Sequence, residues 1–215
     1  MFIIDMDNTL IDTDRFRAER LKALEPLRVT EDIYWQTYGE VRKDEAGMFR
    51  YNDERHAAAL AKHGFDGDKI LTTLEAITVR LGEFVFPDTF DFLSAIRAYK
   101  ESMILLSLGA SSFQEQKVKL TGVGEYFDRV FIVDDTKVHV LMNFLAQNGY
   151  AQSKEKIWFI NDKIDETKEI LRALPRLRGI LKVATSLPRQ NYEMSALPYF
   201  ETLTEIKEYF INQKL

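Results

Sequence analysis

The chain has 215 residues, 46% of them hydrophobic and 29% charged, which suffices to bury one substantial core and a second small one and excludes disordered and fibrous classes. Its net charge of −5 argues against a general nucleic-acid surface, which needs a basic stripe to neutralise phosphates, yet leaves room for a local site binding a small anion. Without cysteine there can be no disulfides, thiolate zinc sites or cysteine nucleophiles.

At the start, Met1-Phe2-Ile3-Ile4 is apolar but meets acid at Asp5 and Asp7, too soon for a signal peptide. No uncharged apolar run approaches the ~18 residues that span a bilayer. A cytoplasmic protein without membrane contact, monomeric or homodimeric, is the expectation. Phe2–Ile4 reads as a first buried strand.

From about Thr13 to Phe86 no strand pattern occurs, and the spacing predicts helices instead. Leu21 and Leu24 mark one, and Ile33, Tyr34, Tyr38 and Val41 a second. Ala57, Leu60 and Ala61 mark a third, closed by His63-Gly64; Ile70, Leu71, Leu74, Ile77 and Leu81 mark a fourth. A stretch this long is no simple crossover, so residues 13–86 are expected to be a helical domain inserted between two parts, 1–12 and 87–215, of an α/β core.

Pro87-Asp88 starts a helix to about Lys100 that buries Phe92, Ile96 and Tyr99. Apolar runs at Met103–Leu106, Val130–Val133, Ile157–Ile160 and Ile180–Val183 read as further strands, without the alternation of a half-exposed sheet. Val138, Leu141, Phe144 and Leu145 share a helical face before Asn148-Gly149, and Ile170, Leu171 and Leu174 share another before Pro175. Strand and helix in alternation imply a doubly wound parallel sheet with right-handed crossovers.

Chemistry gathers at the strand ends. Asp5-Met6-Asp7-Asn8-Thr9 follows the first strand, where open α/β sheets place their ligand crevice. Residues two apart in extended chain point the same way, so Asp5 and Asp7 can face one site. Two neighbouring carboxylates repel unless a cation or shared proton lies between them. That makes them a natural magnesium and acid/base pair.

This segment resembles the first motif of the haloacid dehalogenase superfamily, Asp-x-Asp-x-Thr. The resemblance runs along the chain. Leu105-Leu106-Ser107 is similar to the second motif, Lys137 stands where the family has its basic residue, and Asn161-Asp162 with Asp165 and Glu166 resembles the acidic fourth motif. The 13–86 insert resembles a helical cap of the C1 type. Asn161 departs from the usual Gly or Asp, and Leu108 and Val138 depart at their positions. Lys117 and Lys119 compete with Lys137 for the basic role.

The resemblance implies a magnesium-dependent phosphohydrolase of the phosphatase branch, acting on a small phosphorylated metabolite. Asp5 would be the nucleophile and Asp7 the general acid and base, an acid that dehalogenating members lack because halide leaves without a proton. Magnesium would be held by Asp5, the Asp7 backbone carbonyl and Asp162. Ser107 and Lys137 would bind the phosphoryl group, and Glu166, or Asp165, would hold a metal-bound water or orient Lys137. Spacing from Asp162 leans towards Glu166. The cap would select the leaving group, with Arg15, Arg17, Tyr38, Arg42, Lys43 and Arg50 as candidate contacts and Trp35, Phe49 and Tyr51 as cap core ahead of a base-stacking platform. A phosphomutase, or a non-catalytic binding protein on the same scaffold, is the alternative.

Overall fold

The computed structural model describes residues 1–150 and 155–213. Six parallel strands form one sheet in the order β3-β2-β1-β4-β5-β6: β1 Phe2–Ile4, β2 Met103–Leu108, β3 Arg129–Val133, β4 Ile157–Asn161, β5 Leu177–Lys182 and β6 Tyr199–Phe200. Ile3 pairs with Ile104 on one side and Phe159 on the other, so β1 is central. The strand order reverses beside it, which opens a crevice beyond its carboxyl end.

Alternation along β1 supplies both cores. Phe2 and Ile4 point to one face, where they meet α5 (Thr89–Arg97) and α10 (Leu203–Asn212); Ile3 points to the other, against α7 (Lys137–Gln147) and α8 (Ile164–Ala173). On the first face Phe210 sets its ring edge-on to Phe2 at 5.2 Å and to Trp158 at 5.1 Å. The crossover from β2 to β3 is α6 (Ser111–Thr121), and α9 (Arg189–Glu193) precedes β6. Among the described residues no helix is long and apolar enough to cross a membrane.

Four helices separate β1 from α5: α1 Thr13–Leu24, α2 Glu31–Arg42, α3 Asp53–Lys62 and α4 Gly67–Thr78. They share a small core of Leu24, Val29, Tyr34, Ala57, Leu60, Ile70 and Leu74. The chain enters and leaves this bundle side by side. Ile11 bridges Val85 antiparallel, the Asp12 N–H donates to the Phe84 carbonyl, and the Phe86 N–H donates to the Leu10 carbonyl.

A buried polar chain runs through the bundle. Arg20 donates to the Tyr51 hydroxyl at 2.6 Å, which lies 3.1 Å from His56 Nδ1; His56 Nε2 lies 3.1 Å from Thr37 Oγ1. Thr37 donates its own proton to the Ile33 carbonyl at 2.8 Å, so it accepts from Nε2–H and leaves Nδ1 to accept from Tyr51. Burial, with Arg20 nearby, pushes His56 down to about 4. Its folded pKa lies below its unfolded one, so the unfolded chain binds more protons on acidification and stability falls. The loss begins near the unfolded value of about 6.5 and continues to the folded one. By pH 5 it should reach about 2 kcal/mol. Urea midpoints at pH 7.5 and 5 should show this drop, and His56→Gln should flatten that part of the profile.

Candidate active site

The backbone of β1 continues for one residue, the Asp5 N–H donating to the Ile160 carbonyl at 2.9 Å, and then turns. Asn8 makes the turn with φ of 56°, a left-handed conformation that Asn tolerates better than most residues, and its N–H donates to the Ile11 carbonyl at 2.7 Å. The turn leaves the Asp5 carboxylate at the sheet edge, buried to 1% exposure.

Lys137, the first residue of α7, reaches Asp5 Oδ1 at 2.6 Å and Glu166 Oε2 at 2.7 Å from the first turn of α8. Glu166 also accepts from Asn161 Nδ2 at 2.9 Å. Burial raises Asp5 more than Lys137 lowers it, whereas burial of Glu166 is outweighed by the Lys137 and Lys163 charges together with the hydrogen bonds from Lys137 and Asn161, which leaves it below the usual carboxylate range. The two carboxylates hold the Lys137 ammonium firmly protonated against burial.

Asp7 belongs to a second cluster. Thr13 donates to its Oδ1 at 2.6 Å, Gln114 Nε2 donates to its Oδ2 at 2.9 Å, and the Lys117 ammonium forms an ion pair with Oδ1. Burial would raise Asp7, but the Lys117 charge and the hydrogen bonds from Lys117 and Thr13 hold it well below the carboxylate range. A Cβ on Gly109 would overlap the Gln114 side chain, so this glycine lets Gln114 pass between β2 and Asp7.

Buried polar atoms without a hydrogen-bond partner in this region include Asp5 Oδ2, Ser107 Oγ and Asp162 Oδ1. Burial and the Asp5 charge push the Asp162 carboxyl up to about 7. Two carboxylate oxygens shut away from water and unmatched suit a hard cation such as magnesium, which takes one or two carboxylates and keeps several waters. Among the described residues no group of three or more His, Asp or Glu converges, so a cation there would depend on water, backbone or ligand oxygens for the rest of its shell.

The structure thus gathers Asp5, Lys137 and Glu166 by direct contact, with Ser107 and Asp162 buried at neighbouring strand ends. Between Asp165 and Glu166 it is Glu166 that meets Lys137, while Asp165 is exposed. The Glu166 carboxylate is taken up by Lys137 and Asn161, which fits the orienting role and not direct metal ligation. Lys117 binds Asp7 instead of competing for Lys137's place, and Lys119 is exposed.

Of the expected cap contacts, Arg17, Tyr38 and Arg42 line the cavity beside Asp7. Arg15 donates to the Glu83 carbonyl, and Arg50 pairs with Asp44 and Asp134. Trp35, Phe49 and Tyr51 also line that cavity; Phe49 and Tyr51 are buried, whereas Trp35 is exposed. Thr13, Gln114 and Lys163 were missed by sequence reasoning. For Gln114 a signal existed: with Lys117 it shares one helical face directly after the second strand.

A family model for haloacid dehalogenase-like hydrolases matches residues 1–143. Among solved structures, a protein of Burkholderia xenovorans described as a haloacid dehalogenase-like hydrolase is 18% identical, covering 100% of this chain and 97% of that one, with a TM-score of 0.73. A magnesium-bound HAD-hydrolase of Bacillus subtilis is 16% identical over 97% of this chain and 96% of that one, with a TM-score of 0.63. An L-2-haloacid dehalogenase of Xanthobacter autotrophicus, with chloropropionic acid covalently bound, is 16% identical over 98% and 97%, with a TM-score of 0.62. Likeness at these identities shows the fold alone. A search of curated proteins finds no match.

Proposed function

The chain belongs to the haloacid dehalogenase-like hydrolases, and within that family we propose that it is a magnesium-dependent phosphohydrolase that forms an aspartyl-phosphate on Asp5. One observation carries the reading. Asp5 has one oxygen fixed by Lys137 and the other buried without a partner, two residues from a second carboxylate, Asp7, that could move a proton. Halide leaves without a proton, so a site built around Asp7 suits the departure of an alkoxide instead.

Asp5 would attack phosphorus, splitting one slow displacement into two. The alkoxide would leave with a proton from Asp7, and water would then give a proton to Asp7 while it cleaves the acyl phosphate. Paired with Lys117, Asp7 is anionic at rest, the form that takes the water's proton. An incoming phosphoryl anion would favour its protonated form for the first step. Ser107 would donate to a phosphoryl oxygen, and Lys137 would offset charge building on Asp5 and the phosphoryl group. Magnesium, held by Asp5 and Asp162 with the Asp7 carbonyl, would supply the positive charge that lets the two anions meet.

The test is phosphate release from a panel of phosphomonoesters, with magnesium and with EDTA. Release should fall at least ~100-fold with EDTA. No release from any compound, and no shift in melting temperature on adding magnesium, would overturn the proposal. An isomeric organic phosphate accumulating in place of free phosphate would point to a mutase. Lys117→Met should lower kcat by about 10–100-fold by loosening Asp7, whereas Lys119→Met on the exposed side of α6 should change nothing.

A further inference from the structure

The cavity beside Asp7 and Asp162 has a volume of about 450 Å³, room for a small organic molecule. Its lining is of two kinds. The end at the sheet is polar, with Asp7, Asn8, Asp162 and Lys163. Much of the remaining wall is rings, Phe16, Trp35, Tyr38, Phe49, Tyr51 and Phe113, with Arg17, Arg20 and Arg42 among them.

Four of these rings form a ladder. Trp35 meets Tyr38 with centroids 5.7 Å apart, Tyr38 meets Tyr51 at 5.0 Å, and Tyr51 meets Phe113 at 5.1 Å. Phe113 lies on α6, the helix whose Gln114 and Lys117 grip Asp7, so the ladder leads from the cap to the reactive end. Trp35 is the open rung. It is 39% exposed; it packs edge-on against Tyr34 and Tyr38, and its indole N–H donates to Glu31 on its own helix at 3.4 Å.

Several polar groups along this wall are committed, while Arg42 lies over the Phe49 ring and the buried Tyr34 hydroxyl has no partner. Arg20 is bonded to Asp53, Thr78 and Tyr51, the Tyr51 hydroxyl also faces His56, and Arg17 pairs with Asp14. Hydroxyls drawn against the rings themselves would lose water without gaining a partner there, at a cost for each one. A flat ring needs only faces and edges, and the wall offers both.

We propose that the substrates are phosphomonoesters whose leaving group carries a flat aromatic or heteroaromatic ring, seated against the Trp35–Tyr38–Tyr51 ladder while the phosphoryl group faces Asp5. This class rests on the phosphohydrolase reading, and the test separates the two.

Benzyl phosphate and cyclohexylmethyl phosphate share a leaving oxygen and a size but differ in flatness. With magnesium present, benzyl phosphate should have a kcat/KM about tenfold higher, chiefly through KM. The same pair can be read by emission. The other tryptophan, Trp158, is 3% exposed inside the sheet core, so a ligand-dependent change reports Trp35. Benzyl phosphate should change that emission, cyclohexylmethyl phosphate should not, and Trp35→Leu should abolish the change and bring the kcat/KM ratio towards one. Turnover of both esters with equal kcat/KM, or with the aliphatic one favoured, overturns the ring class and leaves the phosphohydrolase standing. An emission change specific to benzyl phosphate without turnover of any ester supports the ring site and overturns the hydrolase reading. Neither turnover nor emission change overturns both.

Discussion

Asp5→Asn is expected to remove phosphate release by on the order of 10⁴–10⁶-fold and yet to raise the melting temperature in metal-free buffer. The loss follows from deleting the nucleophile while keeping its shape. The gain follows from where Asp5 sits. It is 1% exposed, burial raises its pKa, and Glu166 and Asp7 add further negative charge. Asn removes that repulsion and can still accept from Lys137. About 1 kcal/mol of stabilisation, or about 2–4 °C, is the expected gain. Magnesium should reverse the order, because it stabilises by mass action whichever protein binds it more tightly. Thermal scans with EDTA and with magnesium, beside a phosphate assay, measure all of this. A variant that melts lower in EDTA would make Asp5 a structural partner of Lys137, and one that retains release would remove it as nucleophile.

How far the sequence reached can be followed residue by residue. The central strands β1, β2 and β4 were legible because both of their faces are covered, so each reads as an unbroken apolar run. The fifth was expected at Ile180–Val183 and forms over Leu177–Lys182, since exposed Arg178 interrupts the run that pairing with Ile157 and Trp158 begins. β6, only Tyr199–Phe200, is too short to show a pattern. The helix after it carries a signature of its own in the sequence: Thr202 and Glu205 form a reciprocal capping box at the start of α10.

The site divides in the same way. Asp5 and Asp7 sit on a strand end, where chain order alone fixes direction and neighbourhood. The partners of Asp7 could not be read so directly, because Lys117 lies 110 residues away along the chain. Topology could have narrowed the choice. A right-handed crossover requires a helix between β2 and β3, and its first turns must face the crevice beside β1. Gln114 and Lys117 are the long polar side chains one turn apart on that helix's buried face. The choice of Glu166 over Asp165 also came from packing. In α8 the face bearing Thr167 and Ile170 is buried, which leaves Asp165 exposed and Glu166 beside Lys137.

Asp53→Ala should destabilise the protein by about 3–5 kcal/mol, the largest single effect expected outside the reactive centre. Arg20 on α1 is 1% exposed and bonds Asp53 Oδ1, at the first residue of α3, at 2.5 Å. Thr78, which ends α4, donates to Asp53 Oδ2 at 2.7 Å and accepts from Arg20 at 3.2 Å. Three helices thus meet on one ion pair, and without Asp53 the buried guanidinium keeps only the neutral Tyr51 and Thr78 hydroxyls and no counter-charge. A buried pair often adds little against apolar residues of similar size, so Arg20→Met with Asp53→Leu should recover most of the loss. Denaturant midpoints of the single and double variants would separate the two effects, and a cost under about 1 kcal/mol for Asp53→Ala would mean that water reaches the pair. The consequence extends to the cavity, because the Arg20 guanidinium lies over the rings of Phe16, Tyr51 and Phe113 at 5.1, 5.5 and 5.9 Å. The double variant should therefore regain its midpoint yet show a raised KM for ring-bearing phosphomonoesters, since the cation that orders that wall is gone.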